Sequence, residues 1–272
     1  MWMISIGSGE QDELKKTAMA LADVAQVETL RHFRKPELVA DNKEPDAFDP
    51  VTVADRAAEK AMRKVLALMR PQDAILGEEY GYSKGTSGLT WVLDPIDGTR
   101  GYISGTPTWG VLISVRNSDG PFYGMIAQPY IGERFIGGLG EARMICPHGE
   151  TNLKTRSSRP LSQATMLSTF PEVGTPVERT AFEAVKSKVQ LTRFGMDCYG
   201  YALLAAGQID LVIEAGLQAY DVQAPIAVVQ AAGGIVTNWR GQPAHEGGRV
   251  LAAANAPMHA AALAILRDAP EE

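Results

Sequence analysis

Apolar residues at Leu14, Ala18, Leu21 and Ala25 recur at intervals of three and four, which predicts an amphipathic helix over residues 12–33. Residues 34–50 break that period. Pro36, Pro45 and Pro50 stand there among charged residues, so the stretch reads as a loop, with Lys43 in its middle. Thr52 then opens a second helical pattern, with Ala58, Met62, Val65 and Met69 on one side. Asp55 falls in its first turn, where the helix dipole favours a carboxylate. Beyond Pro71 the period shortens to two. DAILG, TWVLD, TWGVLISVRN, FYGMIAQPY and RFIGGL read as strands of an antiparallel meander, with turns at residues 117–120 and 130–133. Between the first two lies GEEYGYSKGTSGL, whose glycines mark a mobile loop, and Glu78 stands at its entrance.

The polar stretch 151–164 divides the chain into halves, 1–150 and 151–272, expected to form one compact unit. From Ala164 onward strands and helices alternate. ATMLSTF, VQLTRFG, DLVIEAG, GGIVTN and VLAAAN read as strands; residues 178–188, 198–206, 221–231 and a last segment from Met258 read as helices. That alternation predicts a sheet flanked by helices, so the fold class is α/β, with an α+β first half.

Composition narrows the picture mainly by exclusion. At 272 residues, with 45% hydrophobic and 21% charged residues, the chain has the make-up of a soluble globular protein. Its longest apolar runs fall short of the roughly 18 residues that span a bilayer, and its N-terminus lacks the features of a signal peptide, so it is expected in the cytoplasm and off the membrane. Cys146 and Cys198 lie far apart, outside any zinc-type spacing, and Cys198 reads as packing. His32, His148, His245 and His259 are scattered and fall in no motif. A net charge of -6 without a basic cluster argues against nucleic acid as a ligand.

Candidate chemistry gathers at WVLDPIDGTRGYISGTP, residues 91–107. Pro95 fixes its own φ and pushes Asp94 toward extended geometry, so the strand beginning at Thr90 is expected to end at Asp94. Gly98 permits a tight turn, and Thr99 is suited to open or cap a helix. Four carboxylates, Glu78, Asp94, Asp97 and Asp221, fall at strand ends or helix starts. With the carbonyl of Ile96 they make an oxygen-only donor set of the kind Mg2+ prefers. Gly98 and Thr99 at a helix start add backbone N–H groups for a phosphate.

These residues are similar to a known family. Gly77-Glu78-Glu79, then Trp91 through Thr99, then Tyr220-Asp221-Val222, with Pro50-Val51-Thr52 and Asp55 upstream, resemble the inositol monophosphatase superfamily of Mg2+-dependent, Li+-sensitive phosphatases. The resemblance runs over nearly the whole chain. It implies a layered αβαβα sandwich, a homodimer, and a site between the two halves holding roughly two or three Mg2+ ions, which acidify the attacking water. By position, Glu78, Asp94, the Ile96 carbonyl, Asp97 and Asp221 match metal ligands, and Asp97, Gly98 and Thr99 match the phosphate-binding turn. Asp55 and Thr99, with Glu78, match the residues that orient and deprotonate the water. Lys43 matches a loop that closes over the metals.

Substrate choice falls to the second half, around Arg193, Gly195, Met196, Asp197 and Glu214, with Asp221 shared between metal and substrate. Inositol-type members carry a small neutral residue where Asp197 stands. An acid beside a phosphorylated substrate is repulsive unless a cation faces it, and a substrate amine would answer that. Glu214 matches a position that contacts the organic part of the substrate. The strings DGTRGYISGTPTWG and DCYGYALLAAGQIDLVIEAG are more similar to the histidinol-phosphatase branch, which implies L-histidinol phosphate as substrate. Met196, Gly101 and Gly200 depart from that branch. The alternatives are an inositol-1-phosphate or broad sugar-phosphate phosphatase, a regulatory RNA- or protein-binding member, and, for Asp197, a salt bridge to Arg193 or to a neighbouring subunit.

Overall fold

The computed structural model describes residues 6–36, 38–42 and 50–269. The first half contains helix α1 (Ser8–His32), a short hairpin of β1 (Ala40–Asn42) and β2 (Pro50–Thr52), and helix α2 (Val53–Met69). Strands β3 (Ala74–Gly77), β4 (Gly81–Ser83) and β5 (Thr90–Asp97) lead to the short helix α3 (Thr99–Ile103). Then come β6 (Gly110–Asn117), β7 (Gly120–Gln128), β8 (Glu133–Gly138), β9 (Glu141–Cys146) and β10 (Gly149–Asn152). The second half runs β11 (Thr165–Ser168), α4 (Pro176–Lys186), β12 (Leu191–Phe194), α5 (Cys198–Ala205), β13 (Leu211–Leu217), α6 (Ala219–Ala231), β14 (Ile235–Thr237), β15 (Gly248–Ala253) and α7 (Ala256–Leu266). Lys43 lies outside the described residues.

An 8-stranded sheet in the order β10-β9-β8-β7-β6-β5-β3-β4 and a 5-stranded sheet in the order β12-β11-β13-β15-β14 form the two β layers. Helices α1 and α2 cover one face of the large sheet, α5 and α6 lie between the sheets, and α4 and α7 cover the far face of the small one. The chain therefore folds as the expected αβαβα sandwich. Alternation along single strands shows why. Leu112 of β6 points into the core between the sheets, while Val111, Ile113 and Val115 point toward α1 and α2. In β15, Val250 and Ala252 face that same middle core, and Leu251 and Ala253 face α4 and α7. Strands buried on both faces must be apolar throughout.

Glycine sets how closely the middle layer approaches. A Cβ on Gly124 of β7 would lie 2.7 Å from the carbonyl oxygen of Ala224, and one on Gly137 of β8 would lie 2.5 Å from the Cα of Val228. Helix α6 thus rests on bare backbone, which fixes the depth at which its first turn meets the end of β5.

Five local readings change. The stretch 34–50, expected as a loop, contains strand β1, which pairs with β2. Strand β5 runs through Pro95 to Asp97 instead of ending at Asp94, because its pairing with β6 shifts register between Asp94 and Asp97, and a proline without an N–H is accommodated at such a bulge. Strands β3 and β5 pair in parallel, not antiparallel, because β4 returns beside β3 on its other side. Three residues of the glycine-rich stretch are that strand, and the meander extends through β9 and β10, which lack a clear apolar period. In α2 the buried face carries Ala58, Met62 and Leu66 rather than Met69, which is 37% exposed at the helix end.

Candidate active site

The bulge in β5 is the starting point. The N–H of Ile96 donates to Asp94 Oδ1 at 3.0 Å, so the aspartate closes a small turn over Pro95. Gly98 then takes φ 86° in the left-handed region, and α3 begins at Thr99. Gly98, not Thr99, is the N-cap; the Thr99 hydroxyl instead sits 3.1 Å from the Ile96 carbonyl and 3.4 Å from Asp55 Oδ1. Asp55 reaches it from α2, where its Oδ2 accepts from the Thr52 N–H at 2.8 Å and the Thr52 hydroxyl at 2.6 Å. Burial pushes the Asp55 carboxyl up to about 7 against those two bonds, with Glu78 and Glu79 adding repulsion.

Asp221 arrives from the first turn of α6, with its Oδ2 accepting the Gln218 N–H at 2.7 Å. One carboxylate oxygen from each of Asp94, Asp97 and Asp221 lies within 4.8 Å of the other two. Loss of water pushes the carboxyls of Asp94 and Asp97 well above the usual range, and repulsion raises them further: from Glu78, Asp97 and Asp221 on Asp94, and from Asp197 and Asp221 on Asp97. Glu78, at the end of β3, is close enough to share in this repulsion but lies outside the tight group of three. Acids forced together with only oxygen donors and no imidazole or thiolate suit a hard divalent cation, which would relieve the repulsion.

A cleft of about 590 Å³ opens over these acids, lined on one side by Glu78, Asp94, Ile96, Asp97, Gly98 and Thr99 and on the other by residues of the second half, among them Asp197, Glu214 and Asp221. The two sides are tied by the Cys198 N–H, the first of α5, which donates to Asp97 Oδ2 at 2.6 Å. Asp197, preceding it, adopts φ 47° and ψ -142°, a backbone region that disfavours a side chain. Its carboxyl packs over the Gly98 turn: a Cβ on Gly98 would meet Asp197 Cγ at 2.7 Å. Burial, then the charge of Glu214, pushes Asp197 up to about 7, while Thr108 and Arg100 pull it down. Glu214 is itself buried, and its carboxylate accepts from the Thr169 N–H at 3.0 Å, from the Thr169 hydroxyl, and from the Tyr201 hydroxyl at 2.8 Å. Burial raises its pKa in spite of those bonds.

Gly195 and Arg193 are exposed and are not among the residues lining the cleft. The cation acting on Asp197 is Arg100, so the alternative salt bridge to Arg193 is not formed. Arg100 lies 4.8 Å from the Phe170 ring centroid, and this pair, with Thr169 and Tyr201, belongs to the cleft although the sequence reading did not include them. Arg100 directly follows Gly98-Thr99, which was a usable signal; Phe170 and Tyr201 had none, since apolar residues in a strand and a helix read as core. Burial does hold Cys198 as packing, its thiol pushed well up by desolvation and by Asp97. Of the histidines, His259 is buried against Thr237, and the others lie away from the cleft.

Residues 10–271 match the inositol monophosphatase family. The chain belongs to that family, and so to a class of phosphoric monoester hydrolases. Among individual proteins it is 40% identical over 235 residues to the bifunctional phosphatase IMPL2, chloroplastic, of Arabidopsis thaliana, covering 86% of this chain and 66% of that protein, just under two thirds of its length. It is 34% identical over 238 residues to the histidinol-phosphatase of Mycobacterium tuberculosis, covering 86% of this chain and 91% of that one. An inositol monophosphatase from Zymomonas mobilis superposes with a TM-score of 0.84 at 36% identity, covering 96% of this chain and 99% of that chain. Among the described residues no helix is long and apolar enough to cross a membrane.

Proposed function

We propose that the chain is a Mg2+-dependent phosphomonoesterase that hydrolyses L-histidinol phosphate to L-histidinol and phosphate in histidine biosynthesis. The observation that carries the substrate is the acid pair Asp197 and Glu214, two desolvated carboxyls in the same cleft as the phosphate turn. Together they favour a substrate with a cationic amine next to its phosphate and disfavour a neutral polyol. The similarity to a histidinol-phosphatase supports the same choice. In this reading the chain works as a homodimer and is inhibited by Li+, both carried by the family resemblance alone.

Glu78, Asp94, Asp97, Asp221 and the Ile96 carbonyl would hold the metal. Mg2+, when bound there, supplies neutralisation of the phosphate charge and acidifies water. The chain's own part is positioning. Gly98 and Thr99 line the cleft beside the acids and offer backbone N–H groups to the phosphate. The Thr99 hydroxyl has one proton and two acceptors in reach, the Ile96 carbonyl and Asp55. With a hydrogen bond donated to ionised Asp55, the Thr99 oxygen would accept one from a water and orient it for in-line attack. As the water gives its proton to the Thr99 oxygen, the Thr99 proton would pass to Asp55, whose carboxyl is held up to about 7.

The test is phosphate release from histidinol phosphate, inositol-1-phosphate and a sugar phosphate by wild type and Asp197→Ala. We expect wild type to prefer histidinol phosphate, and Asp197→Ala to lose about tenfold or more in kcat/KM on that substrate alone, on the order of one charged hydrogen bond. Equal losses on all three would assign Asp197 a structural role, and a wild-type preference for inositol-1-phosphate would overturn the substrate.

A further inference from the structure

Glu59 in α2 has no solvent exposure at all, and the residues that hold it are out of proportion to a helix ion pair. Its Oε1 accepts from Arg63 Nε at 2.7 Å, an ordinary i, i+4 contact. The same carboxylate also accepts from two backbone groups of the turn after β3: the Glu79 N–H at 2.7 Å on Oε2 and the Tyr80 N–H at 3.2 Å on Oε1. The residue before them, Glu78, gives its own N–H to the Leu93 carbonyl of β5 at 3.2 Å. Three successive N–H groups are therefore fixed, one by the sheet and two by Glu59.

Gly77 gives an independent sign. It is not among the glycines of positive φ, so its backbone asks for no special freedom. What it provides is space: a Cβ there would lie 2.1 Å from Glu59 Oε1. The far limb of the turn is held by the same helix face, since Arg63 donates to the Gly81 carbonyl at 2.5 Å and to the Ser83 hydroxyl at 2.8 Å. Tyr80 donates its hydroxyl to the Arg56 carbonyl at 3.3 Å. A buried charge used only to stabilise α2 would need none of these partners.

We propose that Glu59 is a positioning residue that, by clasping the N–H groups of Glu79 and Tyr80, holds the turn so that the Glu78 carboxylate faces the metal-binding acids. The proposal rests on Glu78 being a metal ligand. Helix α2 then serves the site twice, through Asp55 on Thr99 and, one turn later, through Glu59 on the Glu78 turn.

The experiment measures an apparent Mg2+ dissociation constant on the full chain from the rise of Tm with Mg2+ concentration, without turnover. Glu59→Gln keeps the size but presents an amide to donors, and Gly77→Ala keeps the carboxylate but displaces it. Both are expected to raise the dissociation constant about tenfold or more, the usual effect of losing a residue that orients a ligand. Asp73→Asn, at the opposite end of β3 and paired with Arg70 and Trp91, should lower the metal-free Tm and leave that constant unchanged. If Glu59→Gln does not fold, Gly77→Ala carries the test. Both variants binding Mg2+ within about twofold of wild type, while Glu78→Gln loses binding, would overturn the positioning role and keep Glu78 as a ligand. Normal binding by Glu78→Gln would remove the premise itself.

Discussion

Asp97 does more at once than any other residue of the site. One oxygen is held by the Cys198 N–H of α5, and the carboxylate also belongs to the group of three acids whose oxygens lie within 4.8 Å. Asp97→Asn keeps the shape but brings an amide to a position that accepts an N–H and, in the proposed function, a cation. We expect turnover to fall by about a thousandfold on every substrate, a loss comparable to removing one main electrostatic contact to the transition state. Steady-state rates on the substrate panel measure this, and a near-normal rate would exclude Asp97 from the metal site. Asp97 and its neighbours were legible in the string DPIDGT, because a proline between two acids followed by Gly-Thr restricts the backbone locally. Asp197 was legible only as an acid out of place. That its carboxyl rests on Gly98, about a hundred residues earlier, depends on how the two halves meet.

At the scale of elements, α4 shows how a helix start is tied to a distant strand. Thr175 and Glu178 form a capping box, with the Glu178 N–H 3.4 Å from Thr175 Oγ1 and the Thr175 N–H donating to Glu178 Oε2 at 2.8 Å. Glu178 Oε1 also accepts from Arg249 Nε of β15 at 2.7 Å. These donors outweigh partial burial and hold the Glu178 carboxyl below its ordinary value. A carboxylate with a depressed folded pKa stabilises the fold above its unfolded pKa, and that stabilisation is lost as pH falls through the folded value. Glu178→Gln should therefore destabilise by about 1–2 kcal/mol at neutral pH. The difference in Tm from wild type should narrow as pH falls through the lowered folded value, where the wild-type carboxyl protonates and loses its charge. Calorimetry across that range checks both parts, and a constant difference would mean that the ion pair contributes nothing.

At the scale of the molecule, the site is where three elements end at one cleft: the bulge of β5, the start of α5 and the start of α6. Each brings acids that repel one another, so the metal-free fold carries an electrostatic penalty that a bound divalent cation would remove. Mg2+ should raise Tm by several degrees, since at about 100 times its dissociation constant a ligand stabilises by about 2.7 kcal/mol. A chelator should reverse the gain, and Asp97→Asn should blunt it. A Tm insensitive to Mg2+ at millimolar concentration would count against the metal site as a whole.

The sequence by itself determined the long helices, the central strands and the set of acids that could carry the chemistry. Helical and strand periods are local properties, and the alternation from Ala164 onward gave every strand and helix of the second half because each must bury one face or both. The oxygen-only acids and the Gly98-Thr99 turn were equally local. Only the tertiary structure decided which acids share a cleft and what holds them there. The parallel pairing of β3 with β5, the short edge strand β4, the Cys198 N–H on Asp97, and Glu59 under the Glu78 turn all join residues that no local period relates. Charge and hydrogen bonding act over a few ångströms in space, and the fold alone sets which residues come that near.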